Sequence, residues 1–343
     1  MKCKSIDALK GGEVLAEPIV SQRQDTIIPR GTVVKTEYLP LIASMGIQTV
    51  MIEDPYADYE TPHPIIETPH FDYFVGRVKG IMEGHVYHSN SSLREFEMIA
   101  NEIIKETQQI PNNIIIDVTE RDADLYEHTI MVTLLCVLIG KRLHFDKKRL
   151  YNLALGSLLH DIGIRYITVP YESIDPKTMD PIAMFELKKH TILGYSALDG
   201  ENWIPEVSRK MILSHHERID GSGYPMRQKN KEMEIRIIQV CDLFDSCITG
   251  MEGKRQTLQD TLCILAGRAD IGLDKRVIEH LLDIIAPYPV GTEVKISDER
   301  EGIVIAQTSD KNNPVIMIVD KREGKYQQKN LMLEKDIFIS SVI

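Results

Sequence analysis

A chain of 343 residues, 43% hydrophobic and 27% charged, has the makeup of a folded globular protein with room for two or three domains. Its formal charge of -11 argues against non-specific binding of DNA, RNA or an anionic membrane. The five cysteines (Cys3, Cys136, Cys241, Cys247, Cys263) have no CxxC spacing and read as reduced, buried thiols in a cytoplasmic protein, not as a disulfide framework or thiolate metal site.

Residues 1–57 alternate short apolar runs with Gly, Pro and Asp, which predicts a small β-rich module with one helix near "TEYLPLIASMG". The opening residues lack the apolar core of a signal peptide. Residues 58–112 read as a linker and helical connector, too irregular for a coiled coil but a candidate for pairing with a second copy. From 113 to 286 the periodicity is helical throughout, and its longest apolar stretch, 129–140, is too short to span a bilayer. Residues 287–343 return to short β-type runs. The predicted fold class is multidomain α+β: a central all-α bundle flanked by small β-rich modules.

The chemistry lies in the helical segment. His128 leads a stripe of Val132, Leu135 and Ile139, with Asp124 one turn before it. His160 continues the face of Leu153 and Gly156, near the end of its helix. His190 falls on the stripe Ala183, Leu187, Gly194, Ala197, and Asp242 follows Ile235 and Ile238. A single inward histidine is more often a hydrogen-bonded core residue than a ligand. A row of imidazoles with buried carboxylates on successive helices needs compensation that a metal cluster supplies. Successive helical residues point about 100° apart. On that spacing His215 and His216 do not easily bind one ion together, so they flank two ions or one supports the other. The His160–Asp161 pair has the same geometry, and a carboxylate can bridge two ions. An all-nitrogen-and-oxygen donor set suits iron, manganese or nickel. His63, His70, His85, His88, His144 and His280 read as surface or structural residues.

Four separated motifs carry a family resemblance: "LLHDIG", "KKHTILGYSAL", "HHERIDGSGYP" and "IRIIQVCDLFDS". In this order they resemble the HD-GYP domain, a bacterial subgroup of the HD metal-dependent phosphohydrolases, over residues 113–286. The resemblance implies an HD-type helical bundle holding two or three divalent metal ions, iron or manganese. The activity it implies is hydrolysis of cyclic di-GMP, through pGpG towards GMP, in second-messenger signalling. The implied ligands are His128, His160, Asp161, His190, His215, His216 and Asp242, with Asp124 for a third ion. Asp161 and His160 are the implied catalytic pair, Asp161 bridging the ions and orienting the water. Tyr224, Arg218, Arg165 and Lys254 are candidate substrate contacts. For Tyr224, packing of a rigid turn competes equally; for Arg218, a salt bridge to Asp220 is the stronger reading. The "GSGYP" turn is expected to let the backbone approach the ligand.

The chain departs from the family pattern in three places. Ile164 replaces the lysine of HDIGK and is followed by Arg165. Met251 stands where an arginine is expected, with Lys254 and Arg255 nearby. Asp124 replaces a glutamate. The alternatives are a weakly active or inactive cyclic-dinucleotide sensor or scaffold, and a hydrolase of another phosphoester. The expected partners are the cyclic dinucleotide, a second copy of the chain and signalling proteins.

Overall fold

The computed structural model describes residues 2–5, 9, 11–20, 26–44, 47, 49–52, 64–87, 93–171, 178–251, 253–320 and 325–343; His63 and His88 lie outside them. The chain divides into two units, Met1–Thr61 and Pro62–Ile343.

In the first unit, β1 (Lys2–Ser5) pairs antiparallel with β4 (Thr49–Ile52), and β2 (Ile19–Val20) with β3 (Thr26–Ile28). The predicted helix is present as a 3-10 turn over Thr36–Tyr38 running into α1 (Leu39–Ser44). Pro40 fits there because the first helical turn has no need of its missing N–H. Leu15, Ile19, Val34, Ile42, Val50 and Ile52 form the core of this unit.

The second unit is a helical bundle followed by a sheet. Its helices are α2 (Thr68–Tyr87), α3 (Glu95–Gln108), α4 (Leu125–Arg142), α5 (Lys147–Leu159), α6 (Pro181–Lys188), α7 (His190–Ala197), α8 (Glu206–Ser214), α9 (Met233–Thr249), α10 (Leu258–Gly267) and α11 (Lys275–Ile284). Local sequence sets their ends. Asp146, Asp180, Thr257 and Asp274 cap α5, α6, α10 and α11 through their side chains, and Gly250 ends α9 with φ 77°. The apolar run of residues 129–140 is central because α4 is buried nearly all round.

Helices α2 and α3, expected as a connector, bury Phe74, Val78 and Met82, and Phe96, Ile99 and Ile103, in the same core as α4, α5 and α9. Their spacing of three and four residues forms one apolar face each, and the bundle covers it. Cys136 and Cys241 are buried, but Cys263 is exposed, contrary to the expectation of buried thiols. It falls on the face of α10 opposite Leu258, Thr261 and Leu265, which are the buried ones.

The chain closes with a five-stranded antiparallel sheet in the order β8-β7-β6-β5-β9, formed by β5 (Glu293–Ile296), β6 (Glu301–Ala306), β7 (Val315–Asp320), β8 (Lys325–Asn330) and β9 (Ile339–Val342). Asp117, just ahead of α4, anchors it by accepting from Val290 N at 3.0 Å and Gln307 Nε2 at 2.9 Å. Among the described residues, no helix is long and apolar enough to cross a membrane.

Candidate metal centre

Five helices converge on one point. His128 lies in the first turns of α4 and Asp242 in the middle of α9. The others sit at helix ends, where the chain can turn a side chain out of the helical spiral. His160 is the C-cap of α5, and Asp161 opens the 3-10 turn Ile162–Tyr166. His190 is the first residue of α7, and His215 the C-cap of α8. The stripe drawn from Ala183 to Ala197 is therefore two helices broken at Lys189. All seven side chains are buried.

The Asp161 carboxylate faces two ways. Its Oδ2 lies 3.4 Å from His160 Nε2 and 3.8 Å from His128 Nε2, while its Oδ1 lies 3.4 Å from His215 Nε2 and 3.5 Å from His190 Nε2. Asp242 Oδ1 is 3.2 Å from His128 Nε2 and 3.9 Å from His160 Nε2, and its Oδ2 is 3.8 Å from His216 Nδ1. The donors fall into two groups, Asp161 with His190, His215 and His216, and His128 with His160 and Asp242.

The expected divergence of His215 and His216 is corrected here. The spacing of about 100° holds within a helix, but α8 ends between the two residues. Their ring centroids are 4.2 Å apart at 48°, and both offer a nitrogen to the same group.

Hydrogen bonds fix the tautomers. His160 Nδ1 donates to Ser157 O at 2.7 Å, His190 Nδ1 to Leu187 O at 2.7 Å, and His215 Nδ1 to Ile212 O at 2.9 Å. Each carbonyl belongs to the end of a helix, where carbonyl groups lack an intrahelical partner. A carbonyl only accepts, so each of these rings carries a proton on Nδ1 and turns its Nε2 to the centre. Yet His190 Nε2 and His215 Nε2 are 3.1 Å apart. Two ring nitrogens at that distance, beside a carboxylate oxygen, need a cation among them, a shared proton or a metal ion. His160 Nε2 and Asp161 Oδ1 are further buried atoms that no hydrogen bond satisfies. The donor set fits divalent metal ions.

The electrostatics agree. Burial acts to raise the Asp161 carboxyl, but His160, His215 and His190 outweigh it and hold it well below the usual carboxylate range. Burial pushes the His216 imidazole down to about 3, against the pull of Asp242. His128 differs: burial would lower it, but Asp242 and Asp245 on either side raise it well above an ordinary imidazole. A metal ion bound at its Nε2 would compete with a proton there.

Two acidic residues beyond the expected set shape the centre. Asp245, fully buried, accepts from His128 Nδ1 at 2.8 Å through Oδ2 and from Arg121 Nη2 at 2.6 Å through Oδ1. Its signal was the Asp-x-x-Asp spacing within "CDLFDS", which puts Asp242 and Asp245 on one face of α9. Glu217, also fully buried, accepts from Met226 N at 2.6 Å and Gln228 N at 3.0 Å and so pins the loop that follows the paired histidines.

The remaining candidates are placed differently from one another. Asp124 is not in either donor group: its Oδ1 accepts from Tyr126 N and Glu127 N as the N-cap of α4. The Asp-x-x-Glu pair is a capping box, and that use engages Oδ1. Tyr224 stacks on His216, centroids 4.6 Å apart at 18°, and meets His190 edge-on. Lys188 Nζ lies 5.2 Å from the Tyr224 ring centroid. The close approach at "GSGYP" is to the chain's own backbone, since a Cβ on Gly223 would meet His216 O and Glu217 Cα at 2.4 Å. Arg218 donates to His215 O and Glu217 O, and Asp220 accepts from Ser222 N and Oγ. Arg165 is half-buried on the 3-10 turn, and Lys254 is exposed beyond α9. Arg255 pairs with Asp122. Ile164 and Met251 are both packed in the helical core.

The HD domain family model matches residues 102–277. A cyclic di-GMP phosphodiesterase of Pseudomonas aeruginosa is 25% identical over 213 residues, which is 61% of this chain and 51% of that protein. A cyclic di-GMP phosphodiesterase of Thermotoga maritima is 32% identical over 133 residues, 38% of this chain and 36% of that protein. A solved HDG"Y"P protein from Bdellovibrio bacteriovorus is 18% identical, with a TM-score of 0.49 over 82% of this chain and 98% of that one. The chain thus spans about half the length of the first relative and just over a third of the second. The family match takes in more than half of the chain and every residue from His128 to Asp242, and the chain belongs to the HD domain family.

Proposed function

We propose that this chain is a metal-dependent phosphodiesterase acting on cyclic di-GMP, yielding pGpG and then GMP. The observation that carries the reading is the 3.1 Å contact between His190 Nε2 and His215 Nε2, which calls for a cation beside the two-faced carboxylate of Asp161. One subsite consists of His128, His160, Asp242 and Asp161 Oδ2, the other of His190, His215, His216 and Asp161 Oδ1. Iron or manganese suits these donors. Divalent ions bound there would lower the pKa of a water and offset charge building on a phosphodiester in line with it.

The chain's own residues do the rest. Asp161 holds the two subsites at a fixed separation and orients a water placed between them. His160, held by Ser157 O, keeps its Nε2 turned to the same point. The Tyr224 ring, lying on His216, forms an apolar wall for a base or sugar, with the Lys188 ammonium beside it for a phosphate. The relatives named for cyclic di-GMP hydrolysis support the choice of substrate.

A second reading, a sensor that binds the dinucleotide with little turnover, is favoured by one observation. Ile164 and Met251 stand where the family resemblance calls for cations, and both are buried in the core. Anaerobic incubation of iron- or manganese-loaded protein with cyclic di-GMP decides between them, with Asp161→Asn as control. Release of pGpG or GMP by the intact protein alone supports the phosphodiesterase. Saturable binding without product supports the sensor.

A further inference from the structure

We propose that Asp245, braced by Arg121, is the positioning residue of one metal subsite alone, that of His128, His160 and Asp242. The inference rests on the reading of the centre as a two-metal site.

Three imidazoles are oriented by main-chain carbonyls: His160 by Ser157, His190 by Leu187 and His215 by Ile212. These carbonyls are available because each lies at the end of a helix. His128 has no such neighbour. It sits inside α4, where the carbonyls around it are engaged by the helix, and Leu125 O also accepts from the Thr129 hydroxyl. Its Nδ1 is met by a side chain from another helix, the Asp245 carboxylate at 2.8 Å.

Helix α9 therefore grips the ring from both sides. Asp242 Oδ1 stands 3.2 Å from Nε2, and Asp245 Oδ2 takes Nδ1, one helical turn further on. Both oxygens of Asp245 are committed, the second to Arg121 Nη2 at 2.6 Å, which keeps a fully buried carboxylate ionised and acceptor-only. An acceptor-only partner holds the proton on Nδ1 and leaves Nε2 to a metal ion. Carboxylate partners of this kind fix ring tautomer and orientation at metal sites generally. With one oxygen of Asp245 on Arg121 and the other on His128, the second subsite is under this proposal independent of it.

Asp245→Asn separates the roles. With Arg121 claiming the amide oxygen, the amide NH2 turns to His128 Nδ1, which must then accept, and the proton moves to Nε2. The experiment counts metal by elemental analysis after manganese loading and desalting, alongside a thermal melt. The expected result is two ions per chain in the unmodified protein, one in Asp245→Asn, two in Arg121→Lys, and none in Asp161→Asn. The double variant Arg121→Gln, Asp245→Asn removes both charges together and serves if the single variant does not fold; it too is expected to hold one ion. Two ions in a folded Asp245→Asn protein, or loss of both, overturns the inference, as does fewer than two in the unmodified protein. No substrate is involved, so a protein that binds two ions but leaves cyclic di-GMP intact overturns the proposed activity and leaves this assignment standing.

Discussion

His190 and His215 turn their Nε2 atoms towards each other across 3.1 Å, each ring locked from behind by a main-chain carbonyl. That pair, preset beside the Asp161 carboxylate, makes the folded bundle a better receptor for metal than the unfolded chain. A ligand that binds only the folded state at one hundred times its Kd stabilises by about 2.7 kcal/mol. For domains of this size that corresponds to roughly 5–10 °C in Tm. Differential scanning fluorimetry with and without a chelator checks this, and an unchanged Tm in metal-loaded protein contradicts it.

Gly163 is where the 3-10 turn after Asp161 crosses α7. A Cβ there would meet His190 O at 1.8 Å and Gly194 N at 2.6 Å, both backbone atoms that cannot rotate away. Gly163→Ala is expected to cost ~3 kcal/mol or more by forcing these segments apart. Urea denaturation measures the loss. Metal content should fall with it, because His190 and Asp161 move relative to each other.

Glu217→Ala leaves Met226 N and Gln228 N without their acceptor. Losing such bonds costs about 1–3 kcal/mol, taken from the loop after the paired histidines rather than from the core. Hydrogen exchange is expected to quicken over residues 218–228 while α4 and α9 stay protected. Metal content should hold near two ions, and KM should rise more than kcat falls.

Lys188→Ala tests the cation beside Tyr224. Among the described residues its ammonium has no carboxylate partner, only the ring at 5.2 Å. An exposed charge of this kind contributes about 0.5–1 kcal/mol, so KM for cyclic di-GMP is expected to rise about twofold to fivefold with kcat unchanged. The effect should shrink as salt rises. A KM equal to that of the unmodified protein removes Lys188 from substrate recognition.

The inward stripes of α4 and α9 made His128 and Asp242 legible from the sequence, since period and burial go together in helices packed all round. Residues at helix ends were harder. His215 and His216 follow a rule of helical angles only as long as the helix lasts, and where it stops is decided by packing. Asp124 carried two local signals, a place one turn before His128 and an Asp-x-x-Glu capping box, and the capping box describes its contacts. Asp245 was invisible as a partner of His128 because 117 residues separate them and only the packing of α9 on α4 joins them. In the sheet, alternation sufficed: Val294 and Ile296, and Ile316 and Ile318, share one buried face.

Donors that arrive one or two at a time from such distant parts of the chain have a consequence for how the protein matures. No short segment carries enough donors to capture an ion by itself, so the bundle must assemble before loading begins. Ion choice is then exercised by a finished cage on whatever pool surrounds it, and two batches of the same chain grown on different trace-element supplies are expected to differ in cargo while sharing one fold.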